Sequence, residues 1–199
     1  MKKKRHGWLI AGVIIVIVLV VAAGGFYAHH VAVQRQQQRQ QQNAQISATR
    51  FIKTIAPAAQ REQKRTGIPA SIIIAQAGLE SEWGRSSLAQ KYHNLFGVKA
   101  MDKKHRVRLM TTEYLNGKKK HVKVYFATYD SWADSIDAHT RLLLAGTTDN
   151  PHRYQNVTKA KNYKEAARDL QQDGYATDPD YANKLINAIQ KFNLQKYDK

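Results

Sequence analysis

The chain has 199 residues, with 32 Lys and Arg against 15 Asp and Glu, a net charge of +17 and no cysteine. That length suits one folded domain with an appendage, and the missing cysteine excludes disulfides and thiolate metal sites while leaving the compartment open. So basic a protein seeks a polyanion, but no helix-turn-helix, zinc spacing or RNA-binding aromatic motif is present, which excludes the common nucleic-acid modules and leaves an anionic membrane surface or cell-envelope polymer.

In chain order, residues 1–6 form a basic tail containing Lys2, Lys3, Lys4 and Arg5. Residues 7–28 carry an apolar run from Trp8 to Tyr27. A run of about 20 apolar residues suffices to cross a hydrocarbon core of ~30 Å as a helix, whereas a secretory h-region is usually shorter. The segment therefore reads as a transmembrane anchor, with the basic tail inside and the C-terminal part outside the cell. The alternative is a cleaved signal peptide, for which Ala22 to Gly25 and Ala28 offer small residues. Residues 29–46 are rich in Gln and Arg without apolar periodicity, and read as a linker with partial helical character, because both residues favour helix.

Residues 47–199 carry the patterns of a folded domain. Phe51, Ile52, Ile55 and Ala59 recur at helical spacing, with Pro57 placed to kink or divide the helix. Gly67 and Pro69 then introduce an apolar helix from Ile72 to about Glu80, with Gly84 at the position of a left-handed stop. Ser86 or Ser87 caps a short helix, and Asn94 to Gly97 makes a turn. From His105 the period becomes two, and Asn116-Gly117 signals a hairpin whose two-residue turn sets Glu113 opposite Lys120. Three further helices follow. One is capped by Asp130 or Ser131, one starts after Asn162, and one opens at Asp178-Pro179 and buries Tyr181, Leu185, Ala188, Ile189 and Phe192. The fold class is mainly α with a small β-hairpin.

Glu80 sits on the last turn of the apolar helix, on one face with Ile73, Gln76 and Ala77. Partial burial and the negative end of the helix dipole both disfavour its charged form, so it suits a general acid that keeps its proton near neutral pH. The plainer readings are a frayed carboxylate or a pair with Arg85, and Glu82 reads as a surface residue. From the residues alone, Glu113 is the cross-strand partner of Lys120 and Tyr175 a core tyrosine. Trp83, Phe96 and Tyr129 suit core packing or sugar stacking equally, and Asn94 makes a turn or binds substrate. His93, His139 and His152 lack metal-ligand spacing, so no metal or cofactor is expected.

Five blocks in order resemble the glucosaminidase domain of glycoside hydrolase family 73, the family of bacterial autolysins and of the flagellar muramidase-like protein. They are Leu79-Glu80-Ser81-Glu82-Trp83-Gly84, Asn94-Leu95-Phe96-Gly97-Val98-Lys99, Thr112-Glu113-Tyr114, Phe126 to Ser131, and Gly174 to Pro179. The resemblance implies a lysozyme-like fold and an endo-β-N-acetylglucosaminidase that cleaves the β-1,4 bond after N-acetylglucosamine in peptidoglycan. It implies Glu80 as acid, Glu113 as second carboxylate and Tyr175 as a catalytic tyrosine, with Trp83, Asn94, Phe96 and Tyr129 as substrate-binding residues. The alternatives are a lytic transglycosylase or a non-catalytic wall-binding protein of the same fold. With the anchor, the expected place is the cell membrane, single-pass with the domain extracytoplasmic, or secreted if the segment is cleaved. Peptidoglycan strands and anionic envelope polymers are the expected partners.

Overall fold

Ala48, Phe51, Ile52, Ile55, Ala56 and Ala59 recur every three or four residues, and every one of them is buried. They form the inward stripe of the C-terminal part of helix α1 (Lys3–Thr66). The computed structural model describes residues 3–100, 102–115 and 118–198, and of these the side chains outside 3–24, 28, 113–115 and 118. It divides into two units, Met1–Ile46 and Ser47–Lys199.

In the first unit the Gln- and Arg-rich segment expected as a linker is helical, and from residue 32 to 46 its residues are exposed. Strong helix formers supply the conformation without a core to pack on. The side chains of the apolar run up to Gly24, on which the expectation of a membrane anchor rests, lie outside the described residues. Among the described residues no helix is long and apolar enough to cross a membrane.

In the second unit, helix α1 runs through Pro57 undivided, contrary to the expected break. Pro57 and Lys53 are both exposed. The carbonyl that proline leaves without a donor therefore faces water, which satisfies it. Helix α2 (Ala70–Glu80) lies at the centre, buried from Ala70 to Gly78. A helix of 11 residues is marginal alone, but each buried isoleucine contributes roughly 1.5–3 kcal/mol. Ile72, Ile73 and Ile74 are all fully buried, so packing, not propensity, holds α2 in place. Pro69 at its N-cap makes no side-chain bond, so the Ala70 N–H is met by the Gln63 amide oxygen at 3.0 Å and the next N–H needs a second cap. Asp198 supplies one from the far end of the domain. Its carboxylate accepts from the Ser71 backbone N–H at 2.8 Å and from the Ser71 hydroxyl at 2.7 Å.

Helix α3 (Ser87–Tyr92) is capped by Ser86, whose hydroxyl accepts from the Ala89 N–H. Strands β1 (Arg106–Leu115) and β2 (Lys118–Ala127) form an antiparallel pair with Glu113 opposite Lys120, as the Asn-Gly turn predicts; residues 116 and 117 are outside the described residues. Val107, Leu109, Val122, Val124 and Phe126 are half-buried on one face. Arg106, Arg108, His121, Lys123 and Tyr125 are exposed on the other. Both arginines stack on the Tyr125 ring, at 4.0 and 5.5 Å from its centroid.

Helices α4 (Trp132–Ala145), α5 (Gln155–Lys159), α6 (Tyr163–Gln172) and α7 (Tyr181–Phe192) complete the shell, with a short 3-10 turn at Leu194–Tyr197. Ser131 and Asn162 cap α4 and α6 as expected. The expected cap of α7 is present, since Asp178 Oδ1 accepts from the Asp180 N–H at 2.9 Å; the first turn is a tight one, with the Tyr181 N–H bonded to the Asp178 carbonyl, so the regular helix begins at Tyr181. The five-residue α5 and the 3-10 turn are too short to leave a periodic signal. Among the described residues the unit is mainly helical with one two-stranded sheet.

Candidate active site

Immediately after Glu80 the chain turns left-handed. Glu82, Trp83 and Gly84 have φ of 54°, 58° and 77°. For two of these the conformation costs on the order of 1–2 kcal/mol each, so something must hold them. The Ser81 hydroxyl does part of this: it donates to the Ala77 carbonyl and accepts from the Gly84 N–H at 2.8 Å. The Trp83 N–H bonds the Gly78 carbonyl at 2.7 Å, and the Ser86 N–H the Ser81 carbonyl at 2.9 Å. Gly84 admits no side chain, because a Cβ there would lie 2.6 Å from the Phe51 ring. The turn thus lets α2 stop at Glu80.

Glu80 opens to solvent at its surface, yet enough protein surrounds its carboxyl to raise its pKa above the usual carboxylate value. Burial is the larger effect, and a hydrogen bond from Tyr181 opposes it. The Tyr181 hydroxyl donates to Glu80 Oε1 at 3.0 Å. Behind it, Gln76 donates from Nε2 to the Tyr181 hydroxyl at 3.2 Å, and His139 Nε2 meets Gln76 Oε1 at 3.3 Å. Burial pulls the His139 pKa down to about 3, so its ring is neutral. Aromatic rings enclose this group. His139 stacks on Phe96 with centroids 3.8 Å apart, and Tyr175 stacks on Tyr181 at 5.6 Å. Burial, reinforced by the Glu80 charge, raises the Tyr175 pKa well above its ordinary value, so the phenol stays protonated.

The residues singled out in the sequence fall in different places. Glu80 and Tyr175 lie together, but the phenol bonded to Glu80 is Tyr181. The backbone of Glu113 is on β1, and its side chain is outside the described residues. Asn94 is not offered to a substrate. It is 1% exposed, its amide nitrogen donates to the Val98 and Ala127 carbonyls at 2.9 Å each, and its oxygen accepts from the Val98 N–H at 3.0 Å. Asn94 therefore ties the turn before the hairpin to the end of β2. Trp83 is wedged among Gly78, Phe51 and Phe192, and Phe96 is buried against His139. Packing, the alternative to sugar stacking, accounts for both rings. Tyr129 lines a cavity of about 570 Å³ whose walls include Val98, Ala127, Ala138 and Leu142. Among the described residues no three His, Cys, Asp or Glu converge as a metal site.

Sequence reasoning missed Tyr181 and Gln76. Gln76 carried a signal: it is a polar residue one turn before Glu80, on the same face of a helix otherwise apolar at its centre. Tyr181 carried none, since a tyrosine at the start of an amphipathic helix looks like any core aromatic.

This geometry can hold a protonated carboxyl against an open surface, the requirement for protonating a leaving group. The comparisons with known proteins agree with that chemistry. The Glucosaminidase family profile, described as mannosyl-glycoprotein endo-beta-N-acetylglucosaminidase, matches residues 56–194. Exo-glucosaminidase LytG of Bacillus subtilis is 45% identical over 148 residues, covering 74% of this chain and 52% of that protein. Peptidoglycan hydrolase FlgJ of Escherichia coli K12 is 41% identical over 147 residues, covering 71% and 45%. The chain thus spans about half the length of these curated relatives. The catalytic domain of the autolysin Auto from Listeria monocytogenes superposes with a TM-score of 0.72 at 33% identity, covering 81% of this chain and 97% of that domain. The profile match over residues 56–194, the identity to these relatives and the shared lysozyme-like fold place the chain in the Glucosaminidase family of glycoside hydrolases.

Proposed function

We propose that this chain is a peptidoglycan hydrolase, an endo-β-N-acetylglucosaminidase cleaving the β-1,4 bond after N-acetylglucosamine, with Glu80 as its general acid. The observation that carries this is the Glu80 carboxyl, set at the end of a buried helix, shielded enough that its pKa is raised, and braced by Tyr181. As the glycosidic bond breaks, its electron pair passes to the leaving oxygen and the Glu80 proton joins it. Glu113, on the hairpin, is the second carboxylate that activates water or attacks the sugar. Tyr175, a neutral phenol close to Glu80, is suited to orient the substrate acetamido group or steady the charge at the anomeric carbon. Tyr129 and its cavity are a candidate sugar subsite.

The apolar run and basic tail support a single-pass membrane protein with its hydrolase domain outside the cell. Arg106, Arg108 and Lys123, exposed on one hairpin face, support attachment to anionic envelope polymers. Similarity to an enzyme named as exo-acting favours a second reading, removal of single sugars from strand ends.

Mass spectrometry of fragments released from purified peptidoglycan tests the proposal. Internal fragments with reducing N-acetylglucosamine ends are expected, and Glu80→Gln should lower their rate at least ~10²-fold without unfolding the protein. Monosaccharides alone would establish the exo reading. Anhydro ends would mark a transglycosylase, reducing N-acetylmuramic acid ends a muramidase, and no cleavage a binding protein. A folded Glu80→Gln with normal turnover would remove Glu80 from the mechanism.

A further inference from the structure

Helix α2 carries two polar side chains on its site-facing edge, Gln76 and, one turn on, Glu80. A single phenol from α7 touches both. The directions of these bonds follow from which atoms own protons. An amide oxygen only accepts, so His139 must donate its Nε2–H to Gln76 Oε1. The Gln76 amide nitrogen only donates, so the Tyr181 oxygen receives it. Tyr181 has one proton left to give, and Glu80 Oε1 takes it. Every link then points toward the carboxyl. Gln76 and His139 are 0% and 1% exposed, so no competing water reverses a link cheaply. The Phe96 ring, stacked on His139 at an interplanar angle of 9°, holds the far end of the chain.

We infer that His139, Gln76 and Tyr181 form a one-way hydrogen-bond chain of positioning residues that fixes the Glu80 carboxyl and leaves its acid proton on Oε2. This rests on Glu80 being the acid. With Oε1 already accepting from Tyr181, a proton on Oε1 would have to turn the phenol around. The phenol would then need an acceptor at Gln76, where it meets an N–H. The proton on Oε2 therefore goes to the leaving oxygen, and the negative charge left behind is shared with an oxygen already bonded to a donor. The phenol keeps its own proton throughout, since burial raises its pKa. A neutral His139 makes the chain insensitive to pH at its far end.

Among the described side chains, the titratable groups that face Glu80 are Tyr181 on α7 and Tyr175 in the segment before it, with His139 on α4 reached through Gln76. Among the described residues no cation is a partner of Glu80. A change in the Glu80 titration on altering the chain therefore reads the chain itself.

The test uses the full chain in detergent micelles. It follows the carboxyl carbon of Glu80 by ¹³C NMR, with the resonance assigned by its loss in Glu80→Gln. Tyr181→Phe removes the donor to the carboxylate, so the midpoint should rise by about one pH unit, and the alkaline limb of kcat should move with it. His139→Phe should move both in the same direction by less, and His139→Gln, which offers an amide N–H in place of the ring, should return them toward wild type. An unmoved or lowered midpoint in Tyr181→Phe overturns the inference. So does a His139→Phe protein that titrates like wild type. If that variant does not fold, ¹⁵N NMR of the unaltered protein decides. The chain requires the His139 proton on Nε2, and a ring protonated on Nδ1 alone overturns it. Loss of the acid reading would appear differently, as a Glu80→Gln protein that still turns over, whatever the titrations show.

Discussion

Gly78 lies in the interior of α2, where glycine is a poor choice: alanine there should favour helix by about 1 kcal/mol. The structure predicts the opposite outcome for Gly78→Ala. A Cβ built at this position would sit 2.5, 2.6 and 2.9 Å from three carbons of the Trp83 six-membered ring. The ring has little freedom to retreat. Its centroid is 4.4 Å from that of Phe192 and 6.3 Å from that of Phe51, and the Trp83 N–H is bonded to the Gly78 carbonyl itself. Overpacking of this kind costs about 1–3 kcal/mol. Set against the gain in helix propensity, the net loss is about 0–2 kcal/mol, or a fall in Tm of up to ~8 °C for a domain of this size. Turnover should fall too, since Trp83 belongs to the left-handed turn that ends α2 at Glu80. Thermal melts and release of reducing ends measure both effects. In a Trp83→Leu background the clash is relieved, so Gly78→Ala should cost less there than in wild type, a coupling of 0.5 kcal/mol or more by the usual scale. A Gly78→Ala protein with a raised Tm and undiminished turnover would refute the reasoning.

Asp198→Ala should destabilise the domain by about 1 kcal/mol, seen as a lower Tm, because it strips the donors of Ser71 of their acceptor. Glu113→Gln should lower turnover strongly and Lys120→Ala only slightly; equal small losses would make Glu113 no more than an exposed pair partner worth at most ~1 kcal/mol. Binding of the chain to purified walls should weaken as salt rises. Arg106→Gln with Arg108→Gln should weaken it more than Lys161→Gln with Lys164→Gln, two exposed cations elsewhere, and equal effects would disperse the contact over the whole surface. Because burial raises the Glu80 pKa, activity should persist above the usual carboxylate range and decline as Glu80 ionises. A pH–rate profile whose alkaline limb sits at the ordinary glutamate value would contradict this.

Much of the architecture was legible because strong local signals agreed with the packing. The Asn-Gly turn set the hairpin register, and Ser86, Ser131 and Asn162 marked helix starts with side chains that do accept backbone protons. Pro57 misled because its cost depends on where the freed carbonyl points, and only the fold reveals that this is toward water. Asp178 did supply the cap it promised, to the Asp180 N–H, but the turn it opens is tight, so the regular helix begins only at Tyr181. At the site, the helix-end Glu80 was readable from one helix, whereas its partner Tyr181 is 101 residues away and meets it only after folding. Asn94 shows the reverse error: a motif residue suggested substrate contact, but every one of its amide protons is spent on backbone carbonyls.

Asp198 also orders events in time. The helix that ends at Glu80 takes a cap from a carboxylate 127 residues further along the chain, and the Gln60 side chain bonds the Tyr197 carbonyl beside it. A polypeptide emerging N-terminus first, from a ribosome or through a translocation pore, presents α2 long before its anchor arrives. The domain so built is assembled last at its start, and a stalled or truncated chain lacks the latch that secures the helix ending at Glu80.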